Sequence, residues 1–528
     1  MSFISLYFFL FLFIVIFVYF VTPKRFRWIV LLIASYVFYL LNDLRAVIFL
    51  VTTTVSIYLA AIGMRKLAEK QKAFFEQQDE AWLNENKREY QKKLARNKKL
   101  ILTFTLIFNF GILFMLKYFS YLADAFCKLI KVQPLNLNIL LPLGISFYMF
   151  QTIGYLIDVY FGKIQAETNV FKVALFTSFF PQLIQGPISR YDQLAPQLYD
   201  GNDFNKEKLK SGALLMLWGY FKKLVIADRA GILYASIMQN YTGFQGAEVF
   251  VGMLCFVIKL YCDFSGGIDI AMGTAECLGI DLTPNFKRPF FATSVIEYWR
   301  RWHITLGAWM KDYVLYPLTM SKGYNKFIRF CRKTFKKGVA GRVIPAGVAM
   351  FFVFLLVGIW HGPNLTYLLF GVYNGIIILI ETIIKESRKI KKIEPKERSN
   401  SARRLIYVSR LALTFILVYF GKYLSAAPDV ATAGAWFVAT FKYNSANKPF
   451  CDFLDRTNFN ITNTVILVVS FAILICVEIL QERGGKIREY ILTRNKVLQW
   501  VVFYLLIIAI VLFTAYSKSG GGFAYEVF

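Results

Sequence analysis

The chain has 528 residues, of which 57% are hydrophobic and 18% aromatic, and its 61 Lys and Arg against 33 Asp and Glu give a net charge of +28. So apolar a composition excludes an ordinary soluble domain, and the repeated apolar runs are long enough to cross a hydrocarbon core of ~30 Å as helices. The runs do not alternate apolar with polar residues, which excludes a membrane-spanning β-barrel, and the basic residues are confined to loops, so no nucleic acid partner is needed to explain the charge.

Twelve apolar runs predict an all-α polytopic membrane protein with about 11–12 transmembrane helices. The runs are 3–21, 28–41, 46–63, 100–117, 138–160, 211–227, 247–263, 343–360, 365–384, 405–424, 463–480 and 497–515. The first run lacks a basic leader and a small-residue cleavage site, so we expect an uncleaved span. Two more stretches, 171–190 and 296–318, are apolar but interrupted by Pro, Gly or charge. Since irregular backbone survives at membrane depth only when buried in protein or lining a cavity, we expect both to line one.

Basic loops indicate the side of the membrane on which each connection lies. Lys and Arg outnumber Asp and Glu by 11 to 6 in residues 64–99, by 8 to 0 in 321–342, by 9 to 3 in 385–404 and by 5 to 2 in 482–496, whereas residues 425–462 carry three of each sign. The positive-inside rule places the four basic loops in the cytoplasm, next to membrane lipid, and both termini outside. Residues 64–99 contain neither Pro nor Gly and are expected to form a solvated helical hairpin.

The chain contains only two histidines, and each lies beside tryptophan in or next to an apolar run. His303 ends the sequence Trp-Arg-Arg-Trp-His on a predicted amphipathic helix over 295–318, and His361 follows an uncharged run of 18 residues. A titratable ring in hydrocarbon is costly and usually marks a functional site, and imidazole transfers protons near neutral pH. The pair therefore predicts acid–base chemistry. Each histidine also has a purely structural alternative: His303 could belong to a helix at the membrane interface, and the His361 ring could be buried and bonded to a backbone carbonyl. Glycines and a proline around His361 predict close helix approach and a helix break.

Two carboxylates and a hydroxyl interrupt the apolar run that begins at residue 247: Asp263, Ser265 and Asp269. Buried carboxylates need partners, and the candidates are Lys222, Arg300 and Arg301. Glu297 lies three and four residues before the two arginines, which predicts local ion pairs with them. The two carboxylates can therefore serve the architecture of the protein as well as its catalysis.

Amide side chains lie in the Pro- and Gly-broken stretch 171–190, where Gln182 and Gln185 predict a polar lining for a tunnel. The seven cysteines show no CxxC spacing, so a metal site or a disulfide framework is not expected. The sequence also lacks a GxSxG nucleophile elbow, a P-loop and an HExxH motif. Any group transfer is therefore expected to be direct, with histidine activating an incoming hydroxyl.

An ordered series of short motifs between about residues 140 and 375 resembles the membrane-bound O-acyltransferase family, and within it the bacterial alginate O-acetyltransferase-like branch. The matching stretches are Leu143-Gly144-Ile145-Ser146-Phe147-Tyr148 with Phe150-Gln151, the segment 179–188, Lys222-Lys223 with Ala227-Asp228, Asp263-Phe264-Ser265-Gly266, Asn285-Phe286 with Pro289-Phe290, the segment 299–306, Asp312-Tyr313 with Pro317-Leu318, and Gly358-Ile359-Trp360-His361-Gly362. Each motif alone is weak, whereas the set in this order is specific.

The resemblance implies a helix bundle around a funnel or tunnel in a bacterial cell membrane. Its regions would be N-terminal membrane helices over 1–117, a catalytic core over 118–384 and C-terminal membrane helices over 385–528. His361 matches the catalytic histidine and His303 the second position of the pair. The family pattern implies acetyl-CoA or a carrier-protein thioester as the donor, no bound cofactor or metal, a polysaccharide acceptor and an extracytoplasmic partner acyltransferase. The expected substrate and tunnel residues are Trp299, Arg300, Arg301, Trp302, Trp360, Asp263, Ser265, Asp269, Gln151, Gln182 and Gln185.

The chain departs from the branch pattern after Pro317-Leu318, where Thr319-Met320-Ser321-Lys322 replaces Gly-Gly-Asn-Arg and a basic loop follows. A sister branch that transfers D-alanine from a carrier protein to teichoic acid has a basic loop in a similar place. Such a loop suits the phosphates of coenzyme A or an acidic carrier protein, so both donors stay open. A transporter with histidine proton relays is the third hypothesis, which the lack of visible inverted repeats disfavours.

Overall fold

A computed structural model describes residues 2–133, 141–335, 338–390, 399–442, 450–514 and 523. In these ranges the chain is helical, and the one pairing of extended backbone is an isolated antiparallel bridge between Phe286 and Trp302. The contacts divide the described residues into two units, the first lying within 1–213 and 271–283 and the second within 214–270 and 284–524. The three sequence regions proposed above stay a prediction.

Among the described residues, the first unit contains eight complete α-helices. They are α1 Leu6–Val21, α2 Arg27–Leu40, α3 Val47–Glu76, α4 Glu80–Leu129, α5 Ile145–Tyr160, α6 Val170–Ser178, α7 Phe180–Leu183 and α8 Tyr191–Tyr199. Side-chain caps start several of them, because the oxygens of Ser5, Asp79 and Asn169 accept hydrogen bonds from backbone N–H groups of the first turns of α1, α4 and α6. The helices α3 and α4 form the hairpin predicted for residues 64–99, with a turn at 77–79.

The second unit contains most of the remaining helices, while α9 and α11 each cross a boundary between the units. The elements are α9 Lys206–Tyr220, a π-helical stretch Phe221–Ala227, α10 Asp228–Gln239, α11 Ala247–Cys277, α12 Val295–Arg301, α13 Ile304–Met310, a π-helical stretch Lys311–Leu315, α14 Tyr316–Met320, α15 Lys322–Thr334, α16 Val339–His361, α17 Leu365–Ile390, α18 Asn400–Ala426, α19 Val430–Phe441, α20 Phe450–Thr457, α21 Ile461–Glu482, α22 Ile487–Thr493 and α23 Lys496–Phe513.

Eight helices in the described ranges are long and apolar enough to cross a membrane: α3, α4, α11, α16, α17, α18, α21 and α23. Three further predicted spans form shorter helices, since α1 and α5 have 16 residues each and α2 has 14. The predicted run 211–227 is divided between α9 and the π-helical stretch that follows it. The all-α polytopic fold expected from the sequence is therefore confirmed, and the protein is a multi-pass membrane protein.

Close contact between α16 and α17 fixes the position of His361. A Cβ atom on Gly358 would lie 2.5 Å from the carbonyl oxygen of Tyr367, and one on Gly371 would lie 2.5 Å from that of Phe354. Only glycine allows the two backbones to approach so closely. The helix α16 ends at His361, residues 362–364 form the turn, and α17 begins at Leu365. The predicted helix approach and break are both confirmed.

Candidate active site

His303 lies at a break between α12 and α13, with its backbone in the left-handed conformation at φ 48°. The continuous amphipathic helix predicted over 295–318 is therefore wrong. The break has a tertiary cause: the N–H of Lys287 donates to the carbonyl of Arg301 at 2.9 Å, and the N–H of Ile304 donates to that of Asn285 at 3.0 Å. These bonds extend the backbone around residue 302. Non-glycine residues in this conformation are strained, and such strain collects at functional sites.

Asn285 determines which nitrogen of His303 carries the proton. The Asn285 Oδ1 accepts hydrogen bonds from the backbone N–H and the Oγ1 of Thr305, both at 3.0 Å, and lies 3.3 Å from the His303 Nδ1. Because a backbone N–H can only donate, the Asn285 atom that faces it is the oxygen. The Nδ1 therefore donates to that oxygen, and the Nε2 of a neutral ring presents a lone pair.

The environment of His303 keeps its ring neutral. The side chain is buried between apolar groups, with the ring of Phe264 at 4.9 Å and nearly perpendicular to it. His303 lies outside the eight candidate spans, and burial lowers the pKa of its imidazole to about 3. At neutral pH the ring is therefore uncharged and can accept a hydrogen bond at Nε2.

His361 lies at the last position of α16, within a group of aromatic rings. Its ring stacks with that of Tyr367 at 5.8 Å between centroids and lies 6.2 Å from that of Phe370. The indole of Trp360 lies 4.8 Å from the His361 ring and 6.3 Å from the His303 ring. One indole thus adjoins both imidazoles, and the fold brings the two histidines of the chain to one place.

A cavity of about 620 Å³ borders His303. This volume suits a small organic ligand. Its wall is mainly apolar, and the cations Arg300 and Lys311 are the charged residues on it. The predicted residues Trp299, Arg300, Trp302 and His303 all lie on this wall, which is completed by Ile296, Ile304, Leu306, Gly307, Ala308, Met310, Lys311, Leu315, Tyr316, Met350, Val353, Phe354, Val357 and Ile378.

Arg301 is held in an ion-pair network. Its guanidinium lies 2.6 Å from the Glu297 carboxylate, as predicted, and 2.9 Å from that of Glu482. Arg288 also pairs with Glu482 at 2.6 Å, so the network joins the segment before α12 to the end of α21. The predicted local pair of Glu297 with Arg300 is wrong, since Arg300 is exposed and pairs with no carboxylate among the described residues.

Two buried lysines neutralise the carboxylates of α11. Lys222 lies 2.7 Å from Asp269 and donates to the Ser265 hydroxyl at 3.0 Å. Lys223 lies 2.6 Å from Asp263 and 2.8 Å from Asp228. Of the three partners predicted for these carboxylates, Lys222 is confirmed. The second partner is Lys223, and not Arg300 or Arg301 as expected. The contacts favour an architectural role for this cluster.

The predicted glutamines lie in the first unit, whereas both histidines lie in the second. The Gln151 amide donates to the Phe176 carbonyl at 2.6 Å, and the Gln182 amide donates to the Gln151 side-chain oxygen at 2.8 Å. Gln185 is fully buried, and neither polar atom of its amide forms a hydrogen bond to a described residue. The stretch 171–190 is broken and buried, as expected, and its role as a tunnel lining stays a prediction.

The sequence of the chain is similar to those of known membrane acyltransferases. Residues 164–331 match the model of a family described as MBOAT, membrane-bound O-acyltransferase family. The chain is 31% identical over 474 residues, 88% of its length, to a probable alginate O-acetylase AlgI of Pseudomonas syringae pv. tomato, of which the match covers 80%. It is 31% identical over 326 residues to a peptidoglycan O-acetyltransferase of Helicobacter pylori, covering 57% of this chain and 58% of that protein. A teichoic acid D-alanyltransferase of Bacillus subtilis is 24% identical over 291 residues, covering 54% and 69%.

Proposed function

The chain belongs to the membrane-bound O-acyltransferase family and is a multi-pass membrane O-acyltransferase, and we propose that it moves an acetyl group from a cytoplasmic thioester to an extracytoplasmic hydroxyl. The acceptor would be a polysaccharide of the bacterial envelope or a partner acyltransferase that passes the group to sugar. The observation that carries the proposal is that the Trp360 indole adjoins both His303 and His361, while His303 also lines an apolar cavity whose charged residues are Arg300 and Lys311.

His361 is the general base in this proposal. It takes the proton of the acceptor hydroxyl while the hydroxyl oxygen bonds to the thioester carbonyl carbon. The tetrahedral intermediate then collapses, the carbon–sulfur bond breaks, and the thiolate leaves and takes up the proton from His361. A base of this kind is typically worth ~10²–10⁴-fold in rate. The described cavity wall contains no serine or cysteine, which supports direct transfer without an acyl-enzyme.

His303 orients the reacting groups in the same scheme. Its Nδ1 is committed to Asn285, so its Nε2 can accept a hydrogen bond from a second hydroxyl of the acceptor and hold the acceptor for attack, while the attacking hydroxyl gives its one proton to His361. The neutral state of the ring suits this task, because an imidazolium has no lone pair to offer. The sequence left two roles open for His303, orienting the acceptor or polarising the carbonyl, and this tautomer favours the first.

Positive charge near the cavity supports an anionic donor. Arg300 and Lys311 are exposed and line it. In the sequence, residues 321–342 carry eight Lys and Arg and no Asp or Glu. The phosphates of acetyl-CoA complement such a surface. An acidic carrier protein would complement it too, and the basic segment is the observation that favours D-alanyl transfer to teichoic acid as the second candidate function.

Mass spectrometry of envelope and secreted glycans separates the candidates. Cells that make the chain are compared with the same cells lacking its gene, and base-labile esters are identified by mass. An acetyl ester found only with the gene supports the proposal, and an alanyl ester supports the second candidate. Identical ester profiles in both strains would remove envelope O-acylation as the function.

A further inference from the structure

Lys422 is a buried lysine in the apolar helix α18, and the residue is 4% exposed. An ammonium in an apolar interior is strongly destabilised unless a carboxylate or several hydrogen-bond acceptors compensate for its lost hydration. No carboxylate or hydrogen-bond acceptor of the described residues pairs with the Lys422 Nζ. This cation therefore weakens the fold in that position, and a function is the natural reason for its presence.

Aromatic rings take the place of a counter-ion around this ammonium. The Nζ lies 4.8 Å from the ring centroid of Trp302, 5.3 Å from that of Phe370 and 6.0 Å from that of Trp299. Cation–π attraction compensates in part for the lost hydration. A further contact steadies the cage, since the Trp299 indole N–H donates to the Asn374 side-chain oxygen at 3.1 Å.

The same three rings belong to the candidate active site. Trp299 and Trp302 line the cavity, and Trp302 directly precedes His303. Phe370 is the ring that lies 6.2 Å from His361. Lys422 thus adjoins the surroundings of both histidines, on a helix that no motif of the sequence connects with them.

We propose that Lys422 is a positioning residue whose protonated amine supplies positive charge to the acyl-transfer centre through this aromatic cage. Negative charge develops on the thioester carbonyl oxygen as the acceptor attacks, and a preorganised cation in a low-dielectric site favours that state over the neutral reactant. The cage holds the ammonium next to the site without a carboxylate that would cancel its field. The inference rests on the proposed acyl transfer.

Two substitutions separate this role from simple packing. Lys422→Met keeps the length of the side chain and packs well against aromatic rings, but it removes the charge. Lys422→Arg keeps the charge and stacks on the same rings. The matched control is Lys259→Met on α11, because the Lys259 Nζ also lies over an aromatic ring, that of Tyr234 at 5.9 Å, and Lys259 is not among the residues that line the cavity.

The test uses the full chain purified from membranes, with acetyl-CoA and an extract of envelope glycans as substrates. Thermal unfolding and turnover are measured on each variant. We expect Lys422→Met to unfold at the wild-type temperature or above it and to lose roughly 10–100-fold in kcat with little change in the KM for acetyl-CoA. Lys422→Arg should stay within about 5-fold of wild type, and Lys259→Met should match it.

A folded Lys422→Met with wild-type kcat would overturn the proposal, since packing alone would then explain the residue. An equal loss in Lys259→Met would overturn it as well. The variant His361→Ala in the same assay distinguishes the levels of failure. If wild type and His361→Ala are equally active, the proposed function fails and the role of Lys422 falls with it; if only His361→Ala is inactive, Lys422 alone is refuted.

Discussion

Lys223 and Lys422 are both buried lysines in the second unit, 2% and 4% exposed, yet their surroundings are opposite. Lys223 lies between the carboxylates of Asp263 and Asp228, whereas Lys422 lies among three aromatic rings. A cation paired on both sides joins the helices that carry it, and its removal leaves uncompensated charge. A cation without a carboxylate adds little to stability, so its value has to be sought in the site beside it.

The comparison predicts opposite results for one substitution at the two lysines. Lys223→Met leaves the buried Asp263 carboxylate without its ammonium, so we expect a loss of about 3–5 kcal/mol in the free energy of unfolding. Thermal unfolding of the purified chain should show this as a much lower midpoint, beside a Lys422→Met that is unchanged. The double variant Lys223→Met with Asp263→Leu should recover part of the loss. If the Lys223→Met variant were as stable as wild type, the two buried lysines would not differ in their contribution to stability.

A smaller effect is expected from the residue that fixes the tautomer of His303. Asn285→Ala removes the oxygen that accepts from His303 and from both donors of Thr305. Buried donors left without acceptors cost about 1–3 kcal/mol, and transfer should fall by at least ~10-fold because the ring is no longer oriented. Unfolding and turnover are measured together. Turnover that survives intact in Asn285→Ala would show that the tautomer of His303 has no role.

The smallest effect on stability is expected at Gln185. Together with Gln182 it repeats, for uncharged side chains, the comparison of a buried group that has partners with one that has none among the described residues. Gln182 bonds to Gln151 and Ser189, whereas the buried Gln185 amide bonds to no described residue. Gln182→Leu should therefore cost about 1–3 kcal/mol, and Gln185→Leu should be neutral or slightly stabilising. Thermal unfolding of the two variants side by side checks this. A Gln185→Leu that is as unstable as Gln182→Leu would indicate a hydrogen-bonding role in the fold.

Sequence periodicity and composition were sufficient for much of the architecture. The membrane class, the hairpin α3–α4, the helix break after His361 and the pair Glu297–Arg301 follow from local patterns, because each depends on residues close together in the chain. Both histidines stood out for a similar reason, as rare titratable rings beside apolar runs.

Features that depend on contacts distant in sequence could not be predicted in this way. The break at His303 arises from pairing with residues 285–287, while the helical pattern of 295–318 continues across it. Asn285 appeared as part of a matching motif, and only its contacts reveal that it orients a ring. Lys422 interrupts the predicted span 405–424, and no local signal tells whether such a lysine meets a carboxylate or an aromatic cage.

The most direct test of acyl transfer by the histidine pair is the ester content of envelope glycans in cells lacking the native gene. These cells would make wild type, His361→Ala or Cys476→Ala, an exposed position on α21 that serves as the matched control, at equal levels of folded protein. We predict that His361→Ala lowers the ester by at least ~10²-fold and that Cys476→Ala leaves it unchanged. Equal ester content in all three strains would contradict the account, because His361 would then have no part in the transfer.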